Sequence, residues 1–221
     1  TPTQPFRFFD LPAEIRLRIY EHHLTFSHTI DLDPANHRLL SPRLSLFLTS
    51  HRTHAEASRV FYATNTFRLL PLHGRFFHSP RPLLARLPPR YRHALATLEL
   101  RLGPGWTGLP KSWAVSPASE ERGRHRLGLA ELESMRTLCV FVECDPASDD
   151  TFAGFRRKGD DGYFSRSCAD LLSCVLLLAP AVERVRFDAF PGIGRDSPLL
   201  RELVGVHKKK VRVEWGPERG W

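Results

Sequence analysis

Phe8-Phe9-Asp10-Leu11-Pro12-Ala13-Glu14-Ile15-Arg16-Leu17-Arg18-Ile19-Tyr20 is the stretch around which the chain is organised. Asp10 reads as a helix N-cap, and Pro12 as a first-turn residue whose missing N–H costs nothing. Glu14 favours the positive end of the helix dipole. Leu11, Ile15 and Ile19 recur at i, i+4 and i+8, and Leu17, Tyr20 and Leu24 form a second apolar line. The spacing predicts an amphipathic helix over 10–24, with Arg16, Arg18 and Glu21 largely outside its stripe. A lone helix of this length is marginal in water, so the stripe needs a partner.

A second helix over 43–62 supplies one. Leu44, Leu48, His51, Ala55, Ser58 and Tyr62 mark one face, widened by Phe47 and Phe61. Small residues at 55, 57 and 58 let another backbone approach closely. Asn65 suits the helix end, because asparagine tolerates the left-handed conformation. Between the two helices, residues 29–32 read as a short strand and 33–36 as a turn.

Downstream the pattern becomes an alternation of strands and helices. Strands are expected over 66–70, 96–102, 137–143, 184–188 and 208–215, each with period-two apolar alternation. Short helices are expected over 82–87, 129–135 and 198–204, the last capped by Ser197, with a longer one over 165–178. Pro88-Pro89 reads as a break. Residues 103–126 and 145–164 read as polar surface loops, the first carrying Trp106 and Trp113 packed back on the body. The fold class is α/β, with α+β as the alternative: a helical pair on a small, partly parallel sheet of about five strands. The phrases Leu-x-Leu-x-Leu and Leu-x-Val-x-Val suggest irregular leucine-rich-repeat-like units. Residues 6–70 form the helical motif with its first strand, and 71–221 an αβ region continuous with it in one compact domain.

The composition fits a folded chain: 42% hydrophobic and 25% charged residues over 221 positions. A net charge of +8 favours acidic partners. No apolar run is long enough to span a membrane, and the N-terminus lacks a signal-peptide pattern. The sequence opens on Thr1 rather than methionine, so the native beginning, with any targeting segment, is expected upstream. Cys139, Cys144, Cys168 and Cys174 form no Cys-x-x-Cys pair and sit in or beside apolar runs. They read as buried thiols of a reducing compartment, and a cytoplasmic or nuclear location follows as the expectation.

With these residues in view, the N-terminal part resembles the F-box-like proteins of filamentous fungi. Leu11-Pro12, Glu14-Ile15-Arg16 and Ile19-Tyr20 match the first half of the family motif. Leu48-Thr49, Glu56-Ala57, Phe61-Tyr62 and Asn65-Thr66-Phe67 match the second. Ser50-His51 departs from the family's usual Cys-Arg phrasing, and residues 178–187 are similar to its C-terminal part more loosely. The resemblance covers about residues 6–70. It implies an adaptor role: Leu11, Pro12, Ile15, Ile19 and Tyr20 would dock a Skp-type adaptor of a cullin–RING ubiquitin ligase, and the remainder would hold a substrate. The same helix packing only internally is the competing expectation.

No catalytic constellation stands beside this. Gly103–Ser112 ends in Lys-Ser, but Leu109 and Pro110 separate the lysine from the last glycine, so it does not fit a phosphate loop. His51 and His54 lie at i, i+3 without a telling third ligand, and His51 reads as a hydrogen-bonded core residue. No Gly-x-Ser-x-Gly elbow is present. The expectation is a non-enzymatic interaction module without metal or cofactor. The alternative is a basic RNA- or ribonucleoprotein-binding protein. Its phosphate or acidic-partner contacts would be Arg122, Arg124, Arg126, Arg156, Arg157, Lys158, Lys208, Lys209 and Lys210.

Overall fold

The computed structural model describes residues 6–31, 37–69, 84, 87–102, 128–143, 145, 162–206 and 211–216. The elements run α1 (Ala13–Leu24), β1 (Ile30–Asp31), α2 (His37–Leu44), α3 (His51–Thr64), β2 (Thr66–Arg68), α4 (Pro89–Arg92), β3 (Thr97–Leu102), β4 (Thr137–Val142), α5 (Tyr163–Leu178), β5 (Arg184–Ala189), α6 (Pro198–Gly205) and β6 (Arg212–Trp215). Short 3-10 turns occupy Phe8–Asp10, Ser45–Leu48 and Leu129–Glu131.

The sheet is α/β in the strict sense. All six strands are parallel, and their spatial order is their chain order, β1 to β6. The sequence expectation of about five strands, partly parallel, is extended on both counts, with Ile30–Asp31 supplying the sixth strand. Every connection steps to the next strand, so right-handed crossovers put the helices on one side. The inner face carries Ile30, Phe67, Leu98, Leu100, Leu102, Leu138, Val140, Val142, Val185 and Phe187, all buried. They join Tyr20, Leu24, Phe61, Leu172, Val175, Leu199 and Leu203 from the helices in one continuous core.

Strict alternation puts polar residues on the outer face. In register, Asp31, Arg68, Glu99, Cys139, Arg186 and Glu214 form one row across all six strands. Arg68 donates to Asp31 at 3.0 Å and to Glu99 at 3.2 Å, which ties β1, β2 and β3 together by side chains as well as by backbone. Thr29 donates to Glu99 at 2.8 Å on the same face.

Several local expectations are corrected. Pro12, not Asp10, stands at the N-cap of α1, and Asp10 belongs to the preceding 3-10 turn. The expected helix over 43–62 is three pieces: α2, a 3-10 turn and α3, which starts only after Ser50 accepts from the Thr53 N–H at 3.1 Å. Pro88-Pro89 opens a helix rather than breaking one, because Pro89 sits in the first turn of α4. The expected helix over 129–135 is a 3-10 turn only. Ser197 caps α6 as expected, accepting from Leu200, and buried Asp145 accepts from Leu199 at the same helix start. The expected helix over 82–87 and the two surface loops, with Trp106 and Trp113, lie largely outside the described residues.

Asn65 has a role different from the expected one. Its φ of −99° and ψ of 155° are extended, not left-handed. Its buried amide instead closes two helices. Nδ2 donates to Leu24 O at 2.9 Å and Phe61 O at 2.8 Å, and Oδ1 accepts from Phe26 N at 2.8 Å. One side chain thus satisfies the end of α1, the end of α3 and the chain leaving α1. Asn65→Ala leaves these buried groups unpaired and is expected to lower stability by about 2–4 kcal/mol, read as a lower urea midpoint.

Candidate functional site: the outer face of the first helix

Of the two apolar lines expected inside on α1, the second is buried through Tyr20 and Leu24 and the first is not. The buried residues of the helix are Arg16, Tyr20 and Leu24. Ile15, Leu17 and Ile19 are 48%, 41% and 41% exposed. The i, i+4, i+8 stripe that reads as core in the sequence therefore faces outward over Ile15 and Ile19, and the arginine read as surface lies inside.

The reason is Glu56, on the second turn of α3. Arg16 approaches it fork to fork, with Nε 3.0 Å from Oε2 and Nη2 2.9 Å from Oε1. The Tyr20 hydroxyl donates to Oε2 at 3.2 Å, and Arg52 adds Nε at 3.2 Å. A further Arg16 nitrogen donates to the carbonyl of Leu11. Phe9 lies over this cluster, with the Arg52 guanidinium 4.7 Å and that of Arg16 5.8 Å from its ring centroid. A bidentate pair with its remaining donors satisfied is the arrangement in which a charge tolerates burial. Small Ala57, buried on α3, lets α1 come close enough for the pair to form.

Electrostatics follow from this contact. The hydrogen bonds from Arg16, aided by Arg52 and Tyr20, hold the Glu56 carboxyl down to about 2. Burial, then the Glu56 charge, pushes the Tyr20 phenol up.

The outward face borders a groove of about 550 Å³ lined by Phe8, Ile15, Arg18, Ile19, His22, His23 and Leu46, with Tyr20 at its floor. Of the docking residues implied by the resemblance, Pro12, Ile15 and Ile19 are exposed and Leu11 is half-buried. Tyr20 is corrected: it is fully buried and fixes the helix from inside rather than offering a contact surface. The nearby Leu48 is 87% exposed, not part of a packed face of α3. His51 is likewise exposed instead of buried.

Arg122, Arg124, Arg126, Arg156, Arg157, Lys158, Lys208, Lys209, Lys210 and Cys144 lie outside the described residues. Cys139 and Cys174 are free thiols, and Cys168 is buried. Cys139 joins the polar row from within its apolar run, and burial pushes its thiol up to about 11, away from the thiolate form at neutral pH. Among the described residues no helix is long and apolar enough to cross a membrane. No protein-family model matches the chain, and no curated protein or solved structure matches it.

The depressed Glu56 carboxyl fixes a pH dependence. Its contribution is complete above its ordinary value of 4.5 and is lost as pH falls through about 2. Urea midpoints of the wild type are expected to fall across that window. Glu56→Gln should be less stable at neutral pH, and its midpoint should fall less steeply there. Parallel pH profiles for the two proteins would contradict the assignment.

Proposed function

We propose that the protein is a non-enzymatic interaction module of the F-box-like kind. Its first helix docks a protein partner, a Skp-type adaptor of a cullin–RING ubiquitin ligase, and its sheet region holds a second protein as receptor or scaffold. The protein acts in the cytoplasm or nucleus and carries no catalytic residue.

The observation that supports this reading is the orientation of α1. A helix that packed for stability alone would bury Ile15 and Ile19 and leave Arg16 in water. This helix does the reverse. The paired residues Arg16 and Glu56 belong to the two halves of the motif that carries the resemblance, so the motif residues divide by task. Arg16, Tyr20, Glu56, Phe61 and Asn65 build the helical pair from inside. Leu11, Pro12, Ile15 and Ile19 form the side left for a partner. Clustered exposed aliphatics on a rigid helix are the usual form of a helix-mediated interface.

The test is capture of a purified Skp-type adaptor by the full chain. Ile15→Glu with Ile19→Glu should keep the wild-type circular dichroism and urea midpoint, because both side chains point outward. The pair should weaken adaptor binding at least tenfold, as two lost anchors of a small interface do. Absence of adaptor binding by the wild type, or binding unchanged in the folded double variant, would refute the docking face.

A further inference from the structure

A second groove, of about 700 Å³, lies between α3 and α4 and is independent of the α1 face. Its lining includes His51, Ser58 and Arg59 from α3, Arg90 and His93 from α4 and its C-cap, and Ser134. None of the described lining residues is acidic. Glu133, largely exposed, lies at the rim, 3.8 Å from His93 Nδ1.

The decisive feature is how Arg90 is held. Elsewhere the chain fixes its arginines with carboxylates: Arg16 by Glu56, Arg68 by Asp31 and Glu99, Arg92 by Glu131. Arg90 is fixed by a phenol. Its Nη2 donates to the Tyr91 hydroxyl at 2.8 Å, and its guanidinium lies 4.6 Å from the Tyr91 ring centroid. Tyr91 in turn stacks on Tyr62, with centroids 4.9 Å apart and planes 25° apart.

His54 Nδ1 faces the Phe47 carbonyl at 3.1 Å, which only accepts, so Nδ1 carries the proton. Nε2 of the same ring is hydrogen-bonded to the Tyr91 hydroxyl, whose oxygen accepts from Arg90. The guanidinium is oriented by the Tyr91 hydroxyl and ring, and no carboxylate is bonded to it among the described residues. Arg59 beside it has no carboxylate partner among the described residues. Ser58 is buried at 4% exposure, and its hydroxyl has no hydrogen-bond partner among them.

We infer that this groove is a binding site for a phosphate monoester, with Arg59 and Arg90 as the charged donors and the Ser58 and Ser134 hydroxyls and the His51 and His93 rings completing the cradle. Guanidinium groups match phosphate oxygens in charge and in fork geometry. The volume suits a phosphorylated side chain or a small organic phosphate. A metal is a poor fit, despite three lining histidines. Both nitrogens of His54 are engaged, two arginines repel a cation, and among the described residues no cluster of metal-ligating side chains is spaced to hold one.

The experiment is calorimetric titration of the full chain with inorganic phosphate, with O-phosphoserine, and with a short phosphoserine peptide beside its unphosphorylated form. Saturable binding of the phosphorylated probes is expected, with no binding of the unphosphorylated peptide. Replacing each arginine (Arg59→Gln, Arg90→Gln) should cost roughly tenfold in affinity, as loss of a charge-assisted hydrogen bond does. Tyr91→Phe keeps the stacked ring and removes the hydroxyl, and should weaken binding several-fold while the urea midpoint stays near wild type. A peptide affinity well above that of O-phosphoserine would assign the source as a phosphorylated polypeptide; equal affinities would assign a small phosphate. Failure of all three phosphorylated probes to bind the folded wild type overturns the inference. So does binding indifferent to Arg59→Gln and Arg90→Gln, or binding of long RNA alone with a steep salt dependence.

Discussion

The structure depends on one part-buried contact, the fork of Arg16 on Glu56. Such a pair is weak as a source of stability, because removing two ions from water offsets most of their attraction. Its effect is selective. α1 carries aliphatic or aromatic side chains on more than one side, with Ile15 and Ile19 on one and Leu17, Tyr20 and Leu24 along another. Hydrophobic burial alone would accept either of these faces against α3. The ion pair forms in a single rotation of the helix, and every other rotation leaves Glu56 with Arg52 alone. The fold thereby specifies which aliphatic residues stay in water.

From that fixed pair the rest is laid down in sequence. Asn65 joins the ends of both helices and leads into β2. From there each strand adds to the side of the one before it. A parallel sheet with consecutive order has one apolar and one polar face, and its polar face is organised by the Asp31–Arg68–Glu99 bridges. The two candidate surfaces thus sit on the rigid helical end: the α1 face on one side of α3 and the cationic groove on the other.

The strands were legible in the sequence, because period-two alternation such as Leu98, Leu100 and Leu102 is a local signal that tertiary context seldom reverses. α5 and α6 were legible for similar reasons, with Ser197 marking a start. The existence of α1 was legible as well, but not its orientation. Its partner charge lies forty positions away, so periodicity assigns Ile15 and Ile19 to the core and Arg16 to water. Residues 51, 55, 58 and 62 were rightly placed on one helix face, yet all but Tyr62 border a groove instead of a packed layer. Arg90 and His93 close that groove from a separate element, and no short-range pattern announces such a meeting. The role of Asn65 escaped for the same cause: residue type pointed to a left-handed cap, whereas its amide serves a carbonyl on another helix.

The central claim is that the ion pair turns α1 so that Ile15 and Ile19 face outward while Leu24 faces in. Single cysteines at these positions, Ile15→Cys, Ile19→Cys and Leu24→Cys, report it directly through their rates of maleimide labelling in the native protein. The account predicts labelling at 15 and 19 near the rate of an unfolded thiol and strong protection at 24. Protection at 15 and 19 comparable to that at 24 would contradict it.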